Sequence, residues 1–279
     1  MSEAGMAPNA GAGERRIRFV EQIAGGDIVL MTFTDPAPCY AVLARTGEAD
    51  GDEGGEILDV LLLPLPGAPP GVPSETATDA EQWWEEKNDA RAQPVLVKYR
   101  GVELMWRPGR AVLQCDPGQT EPLLLAVVEF AHYECELRRI EREIAESWGE
   151  LEQDKALAFE VTPADLERGE AVGARMGRAL GRRIRHARIE PHLYEPEATQ
   201  PAASRRLGAE LREKARIETR LETVDGQIEV FEDVYEMSGQ RMGEFRAARE
   251  EHVLEWVIVL LLAAELVLLL VQTVWKRGF

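Results

Sequence analysis

Catalysis needs nucleophiles, bases or metal ligands held close together, and this chain offers few such groupings. His132, Glu134 and Glu136 share one short stretch, a local density of ligating side chains that a metal site could use. The four histidines, however, stand at 132, 186, 192 and 252. No HExxH pattern occurs, in which two histidines one helical turn apart grip zinc. Cys39, Cys115 and Cys135 are too few and too scattered for a zinc ribbon or a disulfide framework. They suit reduced thiols in a cytosol-like compartment. There is no GxxxxGK[ST] loop, no GxGxxG turn after a strand and no GxSxG elbow. The expectation is a non-enzymatic protein with no catalytic residue, no metal, no cofactor and no small-molecule substrate.

Arginine is arranged more regularly. Arg175, Arg178, Arg182 and Arg185 follow the three-and-four spacing that places side chains on one helix face. A free face of this kind would contact RNA phosphates or anionic lipid headgroups. Occupied by the protein's own carboxylates, it is structural. Gly169, Gly173, Gly177 and Gly181 recur every four residues in the same segment, a ridge that predicts close helix packing.

The strongest signal lies near the C-terminus. Trp256–Trp275 is apolar throughout except for Glu265, Gln272 and Thr273. At 1.5 Å per residue such a helix spans ~30 Å, the hydrocarbon thickness of a bilayer. Trp256 and Trp275 bracket it as interfacial aromatics do, and Lys276 and Arg277 close it. Glu265 is out of place there, because a charged side chain at mid-membrane costs roughly 2.5–3.5 kcal/mol on insertion scales. It predicts a helix–helix contact or, in an assembly of several copies, an ion or proton path. With four residues after the span, the expected topology is a tail anchor with the lipid bilayer as partner. The Lys–Arg pair favours a cytoplasmic C-terminus. A large body without a translocation signal favours the opposite, and that consideration decides: body in the cytoplasm, or in the matrix of a mitochondrion.

Other elements must hold these features in place. Leu221, Val224, Ile228, Phe231, Tyr235, Met242 and Phe245 alternate by three and four residues, with Ser238 at the missing step. This predicts a long stalk helix running without proline into the span, packed in a coiled-coil manner and forming homo-oligomers. Leu123, Phe130, Leu137 and Ile144 recur every seven residues and predict an amphipathic helix ending near Trp148–Gly149. A second helix follows Asp165 toward His186, with Pro191 and Pro196 marking its break. Upstream, Asp27–Thr34, Tyr40–Ala44 and Ile57–Leu63 read as strands before the Pro/Gly-rich stretch Pro64–Pro73. Trp83 and Trp84 fall in an acidic short helix or loop. Val95–Tyr99, Val102–Trp106 and Ala111–Cys115 read as a meander turning at Arg100–Gly101 and Pro108–Gly109.

The expected fold class is α+β, in the order tail (1–14), strand-containing domain (15–118), helical domain (119–204), stalk (205–252), transmembrane anchor (253–275) and short tail (276–279). The formal net charge of -18 argues against broad, charge-driven nucleic-acid binding. The first thirteen residues lack the apolar core of a secretory signal, and are expected to be a disordered tail.

Residues from about 95 onward resemble the required-for-meiotic-nuclear-division family, a domain-of-unknown-function group of bacteria and eukaryotes. Leu123–Glu134 is similar to its helix of small and apolar residues ending in a carboxylate. Gly181–Pro196 resembles its Gly-to-Arg helix and break, and Arg216–Glu232 its penultimate helix. His252–Leu266 resembles its Leu-Glu-Trp-hydrophobic run, with Glu255 and Glu265 at the matching spacing. Tyr99–Trp106 echoes its strand motif, and its tryptophan after the break has no counterpart near Ala198. The resemblance implies a membrane-attached, self-associating, non-enzymatic protein. The leading expectation is therefore a membrane-anchored scaffold or assembly factor. An RNA- or ribosome-associated membrane protein supporting translation is the second. An oligomeric ion path through Glu265 is the third, similar in layout to pentameric magnesium channels.

Overall fold

The computed structural model of the chain describes residues 13–44, 56–65, 82–85, 93–196 and 200–277. The expected tail before Gly13, the Pro/Gly-rich stretch from residue 66 and the last two residues lie outside these. The architecture is α+β: a seven-stranded sheet followed by long helices, the last of them apolar at its end. The chain divides into two compact units, Met1–Glu143 with Arg183–Asp225, and Ile144–Arg182 with Gly226–Phe279. The divisions between these units fall inside helices.

The first unit contains the sheet. Its strands are β1 (Gly13–Val20), β2 (Ile28–Phe33), β3 (Cys39–Leu43), β4 (Ile57–Pro64), β5 (Val95–Tyr99), β6 (Val102–Arg107) and β7 (Arg110–Cys115). They lie in the order β2-β3-β1-β4-β7-β6-β5, antiparallel except for the β4–β7 pair, in which Asp59 stands opposite Arg110 and Leu62 opposite Leu113. Both meander turns fall where glycine signals them. Gly101 (φ 81°) follows Arg100 (φ 42°), two positive φ values as a type I′ hairpin requires. Gly109 (φ 74°) follows Pro108, the pairing of fixed and positive φ that suits a type II turn. In β6, Val102, Leu104 and Trp106 are buried and Glu103 is exposed, the period-two pattern of a half-covered strand. β1 is the strand composition hides: GERRIRFV reads as a charged terminus, yet it pairs with both β3 and β4 and buries Ile17 completely.

Helix α1 (Thr120–Asp154) is entered through a 3-10 turn at Pro117–Gln119, where the Asp116 carboxylate accepts from the Gly118 N–H at 3.2 Å. Ala126–Glu134 are nine consecutive buried residues, so this stretch is enclosed on all sides as the centre of the first unit. Helix α2 (Gly169–Tyr194) carries Pro191 inside it and does not stop there. The missing N–H forfeits one backbone bond. Burial of Ile189 and Leu193 on either side holds the last turn in place. Helix α3 (Ala202–Lys214) ends at a residue in the left-handed region, Arg216 (φ 53°), and α4 (Ile217–Arg277) starts at once. The expected stalk from 205 is thus two helices, the second an unbroken 61 residues.

In the second unit α1 runs past Gly149 to Asp154, because Leu151 continues the buried stripe. Two 3-10 turns, Lys155–Ala158 and Pro163–Arg168, lead to α2; Thr162 and Asp165 form a reciprocal cap across the second. Hydrogen bonds from Thr162 hold the Asp165 carboxyl below its ordinary range.

Candidate functional site

The end of α4 is the surface that most needs explaining. From Val253 to Leu270 every residue is exposed, with Leu254 at 64%, Leu261 at 66% and Leu266 at 62%. The most apolar window of eighteen residues has a mean hydropathy of 2.6 and none of it is buried. A core helix of that composition would be enclosed, and among the described residues nothing covers this one. The helix meets the length and composition of a membrane span. At its start the Trp256 indole N–H donates to His252 Nε2 at 3.3 Å, and His252 Nδ1 lies 3.4 Å from Glu255. Glu265 and Gln272 are exposed along it. Trp275, Lys276 and Arg277 continue the helical backbone, while their side chains lie outside the described residues.

The helical stripe expected to join copies of the chain is used up inside it. Leu221 and Val224 are buried in the first unit; Ile228, Phe231, Tyr235 and Met242 are buried in the second, all at 4% exposure or less. Trp148 packs against Phe231 with ring centroids 5.0 Å apart. Ser238, fully buried, returns its hydroxyl to the Val234 carbonyl at 2.7 Å. Only Phe245 is half-buried. The three-and-four pattern was correct for a packed helix, and its partner is intramolecular.

The arginine face is likewise occupied. Within the second unit, Arg175 binds Asp154 and approaches Glu150 at 3.5 Å, Arg178 binds Glu150, and Arg182 donates to the Ser147 hydroxyl while lying over the Phe231 ring. Arg168 also binds Asp154, whose side chain has no exposure at all. Arg185, in the first unit, binds Glu143. The guanidinium groups fasten α2 to α1, with Arg178 the most exposed of them at 49%. The glycines do not make a close ridge. A Cβ at Gly173, Gly177 or Gly181 would meet nothing within 4 Å, and only Gly169 is tight, against the Arg246 side chain at 2.7 Å.

The first unit holds a different constellation that the sequence left unassigned. His132 stacks on Phe33 at 3.9 Å, with Phe19 at 5.5 Å and Tyr133 edge-on at 4.9 Å. Its Nε2 lies 3.2 Å from the Asp35 carbonyl, which can only accept, so Nε2 carries the proton. Burial pushes the imidazole down to about 4. The Asp35 carboxylate receives Arg188 Nε at 2.8 Å and lies 3.4 Å from His192; the Arg188 bond holds it below the ordinary carboxylate range. Beside His132 is a cavity of about 540 Å³, lined by Phe19, Cys39, Glu136, Arg139 and Arg185. Burial raises both the Cys39 thiol and the Glu136 carboxyl. A thiol held protonated beside an imidazole held neutral is the reverse of an activated thiolate–imidazolium pair.

His132, Glu134 and Glu136, adjacent in sequence, therefore have separate roles. Glu134 binds Arg138 and accepts Arg220 at 3.0 Å, and Arg220 also makes two 2.8 Å bonds to Glu141. Burial lowers Arg138 to about 10. Glu136 pairs with Arg139 at 3.1 Å. Trp83 and Trp84 sit on Arg110 and Arg107, at 4.1 and 4.4 Å from the guanidinium carbons, and their carbonyls accept from the same side chains. Asp35, Arg220, Arg107 and Arg110 carried no signal of these roles, since each partner lies far away in the chain. A scan against protein-family models gives no match, and no curated protein matches the chain.

Proposed function

We infer that this protein is a membrane-tethered, non-enzymatic scaffold or assembly factor, of the kind its resemblance to the required-for-meiotic-nuclear-division family implies. Its C-terminal helix lies in the bilayer, and its two units are held at the cytoplasmic or matrix surface. The observation that carries this is the wholly unburied apolar stretch Val253–Leu270 at the end of a helix whose earlier apolar residues are buried. Pairing of Arg175, Arg178, Arg182 and Arg185 with α1 weighs against RNA binding through that face.

Alkaline carbonate extraction tests the reading. The full chain is expected to remain in the membrane pellet, and a chain lacking residues 253–279 to move to the soluble fraction. Extraction of the full chain by carbonate refutes membrane insertion.

A further inference from the structure

Within the second unit, α2 and α4 leave a groove of about 310 Å³ between them. On α2 its wall is Gly169, Val172, Gly173 and Met176, which share one face by their three-and-four spacing. On α4, Tyr235, Gly239, Met242 and Arg246 follow the same rule. The groove therefore follows α4 for roughly 16 Å at 1.5 Å per residue. Gly173 stands on one side of it, and Gly239 and Gly243 on the other. A Cβ at any of these three would meet nothing within 4 Å. Glycine inside a helix costs about 1 kcal/mol relative to alanine, and here no close helix contact offsets it. What the glycines leave is room.

Two polar groups end in that room without partners. Tyr235 is 3% exposed and lines the groove at the end farther from the apolar span. Its hydroxyl has no hydrogen-bond partner among the described residues and is left facing the groove. Burial, with the negative field of Asp154, raises the phenol and keeps it a donor. An enclosed donor lacking an acceptor costs about 1–3 kcal/mol. At the other end, Arg246 is exposed and has neither an ion pair nor a hydrogen bond among the described residues. Val172 and Met242, both buried, make the middle apolar.

We propose that this groove binds a linear aliphatic molecule with an anionic group at one end and a neutral, hydrogen-bonding oxygen at the other, the class of an ω-hydroxy fatty acid. The carboxylate pairs with the Arg246 guanidinium through charge-assisted hydrogen bonds. The chain lies over Gly173, Gly239 and Gly243, where the lack of side chains lets it rest against backbone. The far oxygen accepts from the Tyr235 hydroxyl. Charge fixes the direction of binding. Arg246 is the one cation among the described lining residues, whereas Glu236 lines the groove beside Tyr235 and Asp154 acts on the same phenol. A second anionic group would be repelled at that end, so a hydroxyl fits there and a second carboxylate does not. The site lies wholly in the second unit and does not depend on insertion of the span.

Methyl NMR of the full-length, methionine-labelled chain in phosphatidylcholine nanodiscs tests this, with ω-hydroxylaurate as the probe. The Met176 and Met242 methyl resonances, assigned by replacing each residue with leucine, are expected to shift saturably while the methyls remote from the groove stay in place. Arg246→Gln is expected to weaken binding about tenfold. Tyr235→Phe is expected to weaken ω-hydroxylaurate about fivefold, the loss of one hydrogen bond, and to leave laurate unchanged. The matching α,ω-diacid is expected to bind more weakly than ω-hydroxylaurate. Gly239→Leu, which fills the groove, is expected to abolish the saturable shift at unchanged helical content. Tyr235→Phe and Arg246→Gln carry the test alone if the leucine variant loses its fold. Shifts of every methionine methyl alike mark partition into lipid and overturn the site. Affinity unchanged in both Arg246→Gln and Tyr235→Phe overturns it too, as does a wild-type chain whose groove methyls do not respond.

Discussion

Lowering the pH should destabilise this fold through one identifiable group. His132 is enclosed by Phe33, Phe19 and Tyr133, and burial moves it from 6.5 to about 4. His192 and Arg139 push it the same way. The folded chain holds the imidazole neutral, while the unfolded chain takes up a proton below about 6.5. Between those two values the unfolded state binds more protons, so stability falls as pH falls. At about 1.36 kcal/mol per pH unit the whole interval is worth about 3 kcal/mol, and above pH ~6.5 the contribution is flat. The assay is chemical denaturation of the full-length protein in detergent micelles at several pH values from ~7.5 to ~4.5, for wild type and His132→Phe. Phenylalanine keeps a ring against Phe33 and cannot be protonated. Loss of the bond to the Asp35 carbonyl adds a pH-independent offset of about 1 kcal/mol against the variant. The many carboxylates titrate in both proteins and cancel in the difference. The variant should therefore gain on wild type by about 2.5 kcal/mol as the pH drops to ~4.5. A difference that stays constant over the whole range refutes the assignment of a neutral, enclosed imidazole.

Two further outcomes follow from the second unit. Asp154→Asn leaves Arg168 and Arg175 without their shared, fully buried carboxylate. Because both arginines retain some access to water and other acids nearby, the expected loss is about 2–3 kcal/mol, short of the roughly 3–5 kcal/mol of a wholly enclosed pair, read as a lower melting temperature. Gly173→Ala and Gly177→Ala each add a methyl group that meets nothing within 4 Å, and each should stabilise the protein by about 0.5–1 kcal/mol. Destabilisation by either would show that the glycines do serve a close contact.

Local signals made much of this fold readable. β5, β6 and β7 were visible as alternating runs separated by two glycine turns, and Gly101 and Gly109 indeed take positive φ. The heptads of α1 and the stripe of α4 marked buried faces correctly, because periodicity reports which face is covered. What periodicity does not report is what covers it. The α4 stripe looked as if it awaited a partner from outside, and the arginine face could be read either way; both are met by other parts of the same chain. β1 was hidden because four charged residues among its eight mask a strand that buries Ile17 alone completely. Pro191 looked like a stop, but the burial of Ile189 and Leu193 outweighed one lost backbone bond. The surroundings of His132 had no local trace at all: Asp35 meets His132, Arg188 and His192 across about a hundred residues or more of chain.

The two ends of the sheet are finished differently. β2 has Ile28 and Val29 exposed, but a bulge between Val29 and Met31 breaks the regular ladder. β5 carries Lys98 outward, and α3 lies against it, with the Arg206 guanidinium over Tyr99. Such devices prevent one sheet from templating another. For molecules confined to a surface, where encounters between neighbours are frequent, that protection has practical weight: crowding would not lead to strand addition and fibre growth through either margin.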